Sequence, residues 1–216
     1  MKLCMFTPRE RGLERGWPGR IDGDRVIQLA AQTLQSYFTG GGTAREHDEF
    51  ALDEVDLRAP VLNPPAIRIF DGDGAFRFEN TAAVFGPGEE IPWPAGATRL
   101  MCRTRLAAVI GGGSAVGGFT IYGEWHAPEL EPPKDTDFAR CLGPLVVTPD
   151  EWDPGGGWSA FVSYAARNTV LRPGDLVALP AVAESGELAA GEWAELTVDG
   201  VGVLRNRVGA AAADIL

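Results

Sequence analysis

The chain has 216 residues, of which 45% are hydrophobic and 23% are charged, a balance typical of a globular protein. Its formal net charge of -11 excludes a general nucleic-acid binder, because such proteins need an excess of lysine and arginine to neutralise phosphates. The same charge argues against an anionic membrane surface as a partner. The length suits one domain, or a small lobe beside a main domain.

The cysteine pattern and the absence of long apolar runs indicate where the protein works. Cys4, Cys102 and Cys141 have no metal-type spacing, so they are predicted to be free thiols in a reducing compartment. The chain begins without an apolar leader, and no apolar run approaches the 18 residues of a membrane span. We therefore expect a cytoplasmic protein.

In the first sixty residues, short strands surround one helix. Strands are predicted at residues 2–6 and 26–29, the second following the hairpin-type turn 22–24. Helix formers at residues 30–38 stop at a glycine triplet. A proline-rich connector then marks a boundary, so we predict a small N-terminal lobe at residues 1–60 and a main domain at residues 61–216.

The main domain alternates short apolar runs with glycine and proline, which predicts many strands joined by turns. One amphipathic helix is expected, because Trp158, Phe161, Val162 and Ala165 recur at helical spacing. The fold class is thus mainly β (α+β) with few helices. Strands are predicted at residues 66–70, 82–85, 99–110, 118–122, 145–148 and 176–179, with a hairpin at 193–198 and 201–208.

Three local patterns suggest chemistry but have simpler interpretations. The acidic run at residues 71–74 lacks the remaining ligands of a calcium loop, so a turn is expected. The glycines at 111–113 match no Walker loop, which argues against a phosphate site. His47 lies in an acidic, surface-like segment and is expected to be solvated.

Several segments together resemble, in order and spacing, the fumarylacetoacetate hydrolase family, and they cover residues from about 60 to 208. They are AAVFGPG at 82–88, LAAVIG at 106–111, GFTI at 118–121, LGPLVVTPDE at 142–151, LRPGD at 171–175 and GVGVLRN at 200–206. The resemblance implies a rolled mixed β-sheet, usually in a homodimer. It also implies cleavage, decarboxylation or tautomerisation of β-dicarbonyl compounds or 2-keto acids.

The resemblance further implies a metal site, from which this sequence departs. In the family, a Glu-x-Glu pair and an Asp on the next strand hold a divalent cation, while a His–Glu pair in a lid activates water. The Glu-x-Glu positions correspond to Arg103 and Arg105 here, and the Asp position to Glu124. A family serine becomes His126, whereas Lys134 matches a lysine that contacts substrate.

Two other family features are also altered. The segment 71–79 is too short for the lid and has no histidine, and the threonine motif expected after the strand at 176–179 reads PAVA. Since residues i and i+2 of a strand share a face, Arg103 and Arg105 aim two guanidiniums at the metal position. Arginine has no acceptor and does not deprotonate, so we expect no metal and no other cofactor.

The leading hypothesis is a metal-independent enzyme for a small anionic substrate, a β-dicarbonyl, keto-acid or polyketide-like acid. Arg103, Arg105 and Lys134 would bind the anion, while Glu124 and His126 would be the catalytic pair that moves a proton. Decarboxylation, tautomerisation or cyclisation fit better than hydrolysis because the water-activating lid is absent.

Two alternatives stay open at this point. Arg103, Arg105 and Glu124 can equally form an ion cluster that fills a site without chemistry, in a non-catalytic binding protein or a partner subunit of an active relative. The third possibility is a conventional metal-dependent C–C hydrolase with unexpected ligands, for which Glu124, Glu129 and Asp137 are the candidates.

Overall fold

The computed structural model describes residues 1–11, 16–72, 74–155 and 157–210. Within these ranges sixteen strands and two α-helices follow one another, with short 3₁₀ turns at Arg9–Arg11, Leu52–Glu54 and Gly112–Ser114. The elements are β1 Lys2–Pro8, β2 Trp17–Asp22, β3 Arg25–Leu29, α1 Leu34–Thr39, β4 Glu46–Ala51, β5 Val55–Arg58, β6 Ile67–Phe70, β7 Phe76–Phe78, β8 Val84–Phe85, β9 Glu90–Ile91, β10 Met101–Ile110, β11 Val116–His126, β12 Arg140–Val147, α2 Trp158–Ala165, β13 Leu176–Ala178, β14 Ala183–Glu184, β15 Trp193–Val198 and β16 Gly202–Val208.

A large mixed sheet organises the described part of the chain. Its main path runs β4-β3-β2-β1-β12-β11-β10-β13-β6-β7, with β5 beside β1, β8 beside β12 and β14 beside β10. Most pairs are antiparallel, whereas β8 with β12 and β6 with β13 are parallel. A smaller sheet has the order β15-β16-β9. The predicted mainly β class with a mixed sheet and few helices is confirmed.

The N-terminal strands belong to the same sheet as the main domain. Strand β1 pairs antiparallel with β12, so that Leu3 lies opposite Val146. Leu3 and Met5 share one buried apolar cluster with Leu142 and Val146. The boundary at residue 60 stays a prediction; it falls in the connection between β5 and β6.

Both faces of the large sheet are covered, which buries the central strands. On one face, Phe70 contacts Phe161 of α2 at a ring-centroid distance of 5.0 Å, and Phe119 contacts Trp158 at the same distance. On the other face, α1 contributes Leu34, Tyr37 and Phe38 to the cluster around β1 and β12. Helix α2 therefore uses its aromatic side chains for packing.

Three elements differ in length or kind from the sequence expectation. Helix α1 starts at Leu34 because Thr33 caps it, its Oγ1 accepting from the Ser36 amide at 3.1 Å. Strand β12 begins five residues earlier than predicted, at Arg140, because it pairs with β8 as well as β11. His47 is exposed as expected, but it lies on strand β4.

The turn predicted at residues 71–74 is present at its described positions, while Asp73 lies outside the described residues. Neither α1 nor α2 has the length and apolar character that crossing a membrane requires.

Gly123 offers a test of the packing at the centre of β11. A Cβ at this position would lie 2.3 Å from Cys141 Sγ and 2.5 Å from Leu196 Cδ1. We expect Gly123→Ala to lower the free energy of unfolding by about 1–3 kcal/mol, because overpacking forces neighbours to move. Urea denaturation measures the change. Gly186→Ala is the control, since its Cβ would meet no described atom within 4 Å; equal midpoints for the two variants would contradict the packing.

Candidate functional site

Three adjacent antiparallel strands bring the predicted charged residues together. Arg103 on β10 lies directly opposite Glu124 on β11, and Glu124 in turn lies opposite Arg140 on β12. Since cross-strand neighbours and residues i and i+2 point to one face, Arg105 joins the same group. The strand register alone therefore places a carboxylate among three guanidiniums.

Glu124 is the centre of this group. Its side chain is 0% exposed, and both carboxylate oxygens accept hydrogen bonds from arginines. Arg105 Nε donates to Oε2 at 2.7 Å, Arg77 Nη2 donates to Oε1 at 2.7 Å, and Arg103 Nη1 lies 3.4 Å from Oε1. A buried carboxylate needs such partners because burial without them costs several kcal/mol.

Arg105 is committed to the protein interior. Its side chain is 2% exposed, and besides Glu124 it donates to the carbonyls of Phe70 and Leu179 at 3.2 and 3.1 Å. Its Nη2 donates to Asp71 Oδ1 at 2.6 Å. The guanidinium thereby ties β6, the turn after it and the segment after β13 to Glu124. The guanidinium of Arg105 is thus occupied by protein acceptors, and its role in substrate binding stays a prediction.

Arg77 adds a second layer over Glu124. Its Nε donates to Asp71 Oδ2 at 2.9 Å, and it also pairs with Glu79. Burial raises the pKa of Asp71, but the hydrogen bonds from Arg77 and Arg105 outweigh that effect and hold the pKa below its usual value. Asp71 therefore stays a carboxylate that keeps both arginines in place.

Arg140 closes the network on the β12 side. This guanidinium is fully buried, pairs with Glu79, and donates to the carbonyls of Thr136 and Ala139. Asn80, which follows β7, contacts the loop before β12, because its Nδ2 donates to the carbonyl of Asp137 at 2.9 Å. The segment around β7 and the loop before β12 are thus joined by charged and polar contacts.

The outer edge of the network consists of Arg103, Glu184 and His126. Arg103 Nε donates to Glu184 Oε1 at 2.8 Å, and His126 Nε2 lies 3.4 Å from the same oxygen. The side chains of Arg103 and Glu184 are 36% and 42% exposed, whereas His126 is 7% exposed. Burial, and then the charge of Arg103, lower the pKa of His126 below its usual value, so the imidazole is neutral near pH 7.

A cavity of about 430 Å³ opens over these groups. Its charged lining comprises five carboxylates and three guanidiniums: Asp71, Glu79, Glu124, Asp135, Asp137, Arg77, Arg103 and Arg140. The lining is acidic by formal charge, and each of these arginines has a carboxylate partner. The cavity is therefore lined by an ion-pair network with an excess of acids and not by a surplus of positive charge.

The five sequence-predicted site residues do not all meet. Arg103, Arg105 and Glu124 form one connected group, and His126 joins it through Glu184. Lys134 stands apart, with a 74% exposed side chain whose Nζ pairs with Asp137 at 2.5 Å. Lys134 is not among the residues that line the cavity, but its partner Asp137 is, so the lysine lies at the rim.

Sequence reasoning missed five charged members of the network: Asp71, Arg77, Glu79, Arg140 and Glu184. One signal was present for Arg77, since Glu79 follows it by two residues, just past the end of β7, and residues i and i+2 of an extended chain share a face. Arg140 was also visible as a charge at the start of an apolar run. Their partners come from segments distant in sequence, and no spacing rule connects those segments.

The donors present do not fit a divalent cation. Both oxygens of Glu124 already accept from arginines, and no cluster of three or more acidic, histidine or cysteine side chains suited to a metal occurs in the described ranges. By the sequence resemblance, Arg103 and Arg105 occupy the positions of the other two metal ligands, and guanidiniums supply no lone pair. Two such charges within ~5 Å would repel a cation by several kcal/mol even at an effective dielectric of about 20.

Comparison with known proteins identifies the fold. No protein-family model and no curated protein matches the sequence. Among solved structures, the chain superposes on 2-hydroxyhepta-2,4-diene-1,7-dioate isomerase from Mycobacterium marinum with a TM-score of 0.80 and 21% identity, covering 99% of this chain and 100% of the other. The fold expected from the sequence resemblance, a fumarylacetoacetate hydrolase-type fold, is therefore confirmed.

Two further structures share this fold and contain ligands. Maleylpyruvate hydrolase from Sphingobium sp. SYK-6, in complex with manganese(II) and pyruvate, has a TM-score of 0.78 and 19% identity, covering 98% of this chain and 100% of the other. 2-Keto-3-deoxy-D-arabinonate dehydratase, complexed with magnesium and 2,5-dioxopentanoate, has a TM-score of 0.78 and 16% identity, covering 97% and 99%. At these identities the likeness establishes the fold.

The buried network makes a prediction about stability. We expect Arg105→Ala to lower the free energy of unfolding by about 3–5 kcal/mol, because it leaves Glu124 buried without its 2.7 Å partner. Arg25→Ala is the control, since Arg25 pairs with Glu49 at the surface and such pairs contribute about 1 kcal/mol or less. Urea denaturation measures both. Equal losses would show that the network does not hold the site together.

A second prediction concerns the pKa of His126, and its test needs no ligand. A ¹⁵N NMR titration should give a pKa for His126 below its usual value of 6.5. Since the unfolded chain then binds more protons than the native one, His126 should make the native state less stable as the pH falls below 6.5. The chain has two histidines, so His47→Gln assigns the signals. A value at or above 6.5 would contradict the burial described for this imidazole.

Proposed function

We propose that the protein is a divergent member of the fumarylacetoacetate hydrolase family and a metal-independent enzyme for a small anionic β-dicarbonyl compound or keto acid. The substrate binds in the cavity beside Arg103 and reacts by decarboxylation, tautomerisation or cyclisation. A homodimer is the assembly expected from the resemblance, and sedimentation of the purified protein checks it.

The geometry of Arg103 carries this proposal. Nη1 faces Glu124, so the inner side of the guanidinium is fixed by a buried carboxylate. Nε is paired with the half-exposed Glu184, and Nη2 has no protein acceptor among the residues with described positions. Nε and Nη2 form one edge of the guanidinium fork, and a ligand carboxylate can accept from both at once.

The structures that share the fold support the substrate class. Their names specify carboxylic acids, namely a diene-dioate, maleylpyruvate with bound pyruvate, and a keto-deoxy-arabinonate. We transfer to this chain the acidic and keto character that these molecules have in common. The metal ions of the two complexes are not transferred, because Glu124 and the arginines do not fit a cation.

Among the three reactions, decarboxylation of a β-keto acid suits these side chains best. The bond to the departing carboxylate breaks, its electron pair moves to the keto oxygen, and carbon dioxide leaves. Guanidinium N–H groups of Arg103 and Arg77 stabilise the resulting enolate, which then takes a proton from water. No base is needed to begin this reaction. Glu124 contributes by fixing the guanidiniums, and His126 lies one carboxylate away from Arg103.

A specific observation favours a second function, a non-catalytic binding protein or partner subunit. Glu124 has both oxygens occupied, and Arg105 makes four contacts within the protein. A site that is saturated in this way has lost the carboxylates with which the family holds its cation. This second function predicts neither a small-molecule ligand in the cavity nor turnover.

Binding and turnover separate the two functions. We expect pyruvate to bind in calorimetry, and oxaloacetate, a β-keto acid, to lose carbon dioxide faster with the protein present, even with EDTA. Arg103→Ala should weaken pyruvate binding by at least about tenfold, because charge-assisted hydrogen bonds are lost. Arg25→Ala, a surface change on β3, should leave binding unaltered.

The other outcomes are equally informative. Absence of both pyruvate binding and oxaloacetate turnover would support the non-catalytic function. Turnover that requires added magnesium or manganese and disappears with EDTA would overturn metal independence and favour a conventional hydrolase. Binding that survives in Arg103→Ala would remove Arg103 from the site.

A further inference from the structure

Glu184 occupies the edge of Arg103 that faces away from Glu124. It lies on β14, whose two residues pair with β10 so that Glu184 is directly opposite Arg103. Its Oε1 accepts from Arg103 Nε at 2.8 Å. A ligand carboxylate that uses the Nε and Nη2 edge must therefore replace this oxygen.

The contact between Arg103 and Glu184 is one that a ligand can replace. The two side chains are 36% and 42% exposed, and ion pairs with such access to water contribute little to stability. Glu124 differs, because its side chain is 0% exposed and it binds three arginines. The guanidinium is thus held strongly on one side and weakly on the other.

A second partner for Glu184 is already in place. His126 Nε2 lies 3.4 Å from the oxygen that accepts from Arg103, and His126 Nδ1 is buried with no hydrogen-bond partner in the described part of the chain. The charged groups facing this imidazole are Arg103, Glu184, Glu124 and Asp135. A Glu184 carboxylate released from Arg103 would have the imidazole of His126 within reach as a new donor.

We propose that Glu184 is an internal counter-ion that competes with the ligand carboxylate for Arg103 and moves to His126 when the ligand binds. This inference rests on the proposed function, because it names what the ligand displaces. It makes Glu184 a residue that sets affinity, with no direct contact to the reacting atoms. It also leaves the number of carboxylates paired with Arg103 unchanged, since the ligand carboxylate takes the place of Glu184.

The test compares two glutamates on one segment. Glu184→Gln should tighten pyruvate binding about two- to fivefold, because the competitor loses its charge and the pair it formed is weak. Glu187→Gln is the matched control, because it removes the same charge three residues away. Glu187 pairs with Arg99 at 3.0 Å and not with Arg103. Glu187→Gln should leave the affinity unchanged. Calorimetry at pH 7 measures all three proteins.

A second readout follows the released carboxylate. In the wild-type protein, saturating pyruvate should shift the ¹⁵Nε2 resonance of His126, and in Glu184→Gln that shift should vanish. His47→Gln supplies the assignment, because only two histidines are present. This measurement reports on the move of Glu184 without depending on turnover.

Each result decides one point. If pyruvate binding depends on Arg103 but Glu184→Gln binds no tighter, or binds more weakly, Glu184 is a support and the inference fails while the proposed function stands. Equal tightening in Glu187→Gln would reduce the effect to overall charge and also overturn it. If the wild-type protein binds no carboxylate, the proposed function and this inference fall together.

Discussion

The buried carboxylate of Glu124 is the constraint around which the site is built. It lies near the end of the central strand β11 with a fully buried side chain, and its charge is acceptable there only because three guanidiniums converge on it. Those guanidiniums bring their own requirements. Arg105 also donates to Asp71 and to two backbone carbonyls. Arg77 pairs with Asp71 and Glu79, and Arg103 pairs with Glu184. One buried charge thereby fixes segments far apart in sequence.

The arrangement surrounds a buried carboxylate with arginines, which limits what it can bind. Guanidiniums are fixed donors, so they hold a carboxylate in a defined orientation but supply no lone pair to a cation. Hydrolysis through a metal-activated water has no counterpart in these side chains. Recognition of an acid and stabilisation of an enolate remain compatible with them. Affinity in such a site depends on which protein carboxylates a ligand can displace, and exposure separates the replaceable Glu184 from the fixed Glu124.

The fold was predictable, and so was the inner part of the site. Strand alternation placed Arg103 and Arg105 on one face, and the order of the motifs placed Glu124 on the neighbouring strand; the register confirms both. The role of Arg105 was harder to predict, since nothing in its spacing indicates that two carbonyls and Asp71 saturate it. Lys134 was placed by motif position alone, and in the structure its exposed side chain pairs with Asp137 at the rim of the cavity. No pattern in the sequence indicated the acids that distant segments bring to the same cavity.

The sequence by itself determined the alternation of strands and turns, the mainly β class and the two arginines on a shared face. These features depend on local periodicity, which the order of residues specifies directly. Tertiary structure alone decided that Arg77, Arg140, Asp71 and Glu184 join the network and that Lys134 does not. Charges on separate segments meet only after the sheet has closed around them, because Coulomb interactions depend on distance in space and not along the chain.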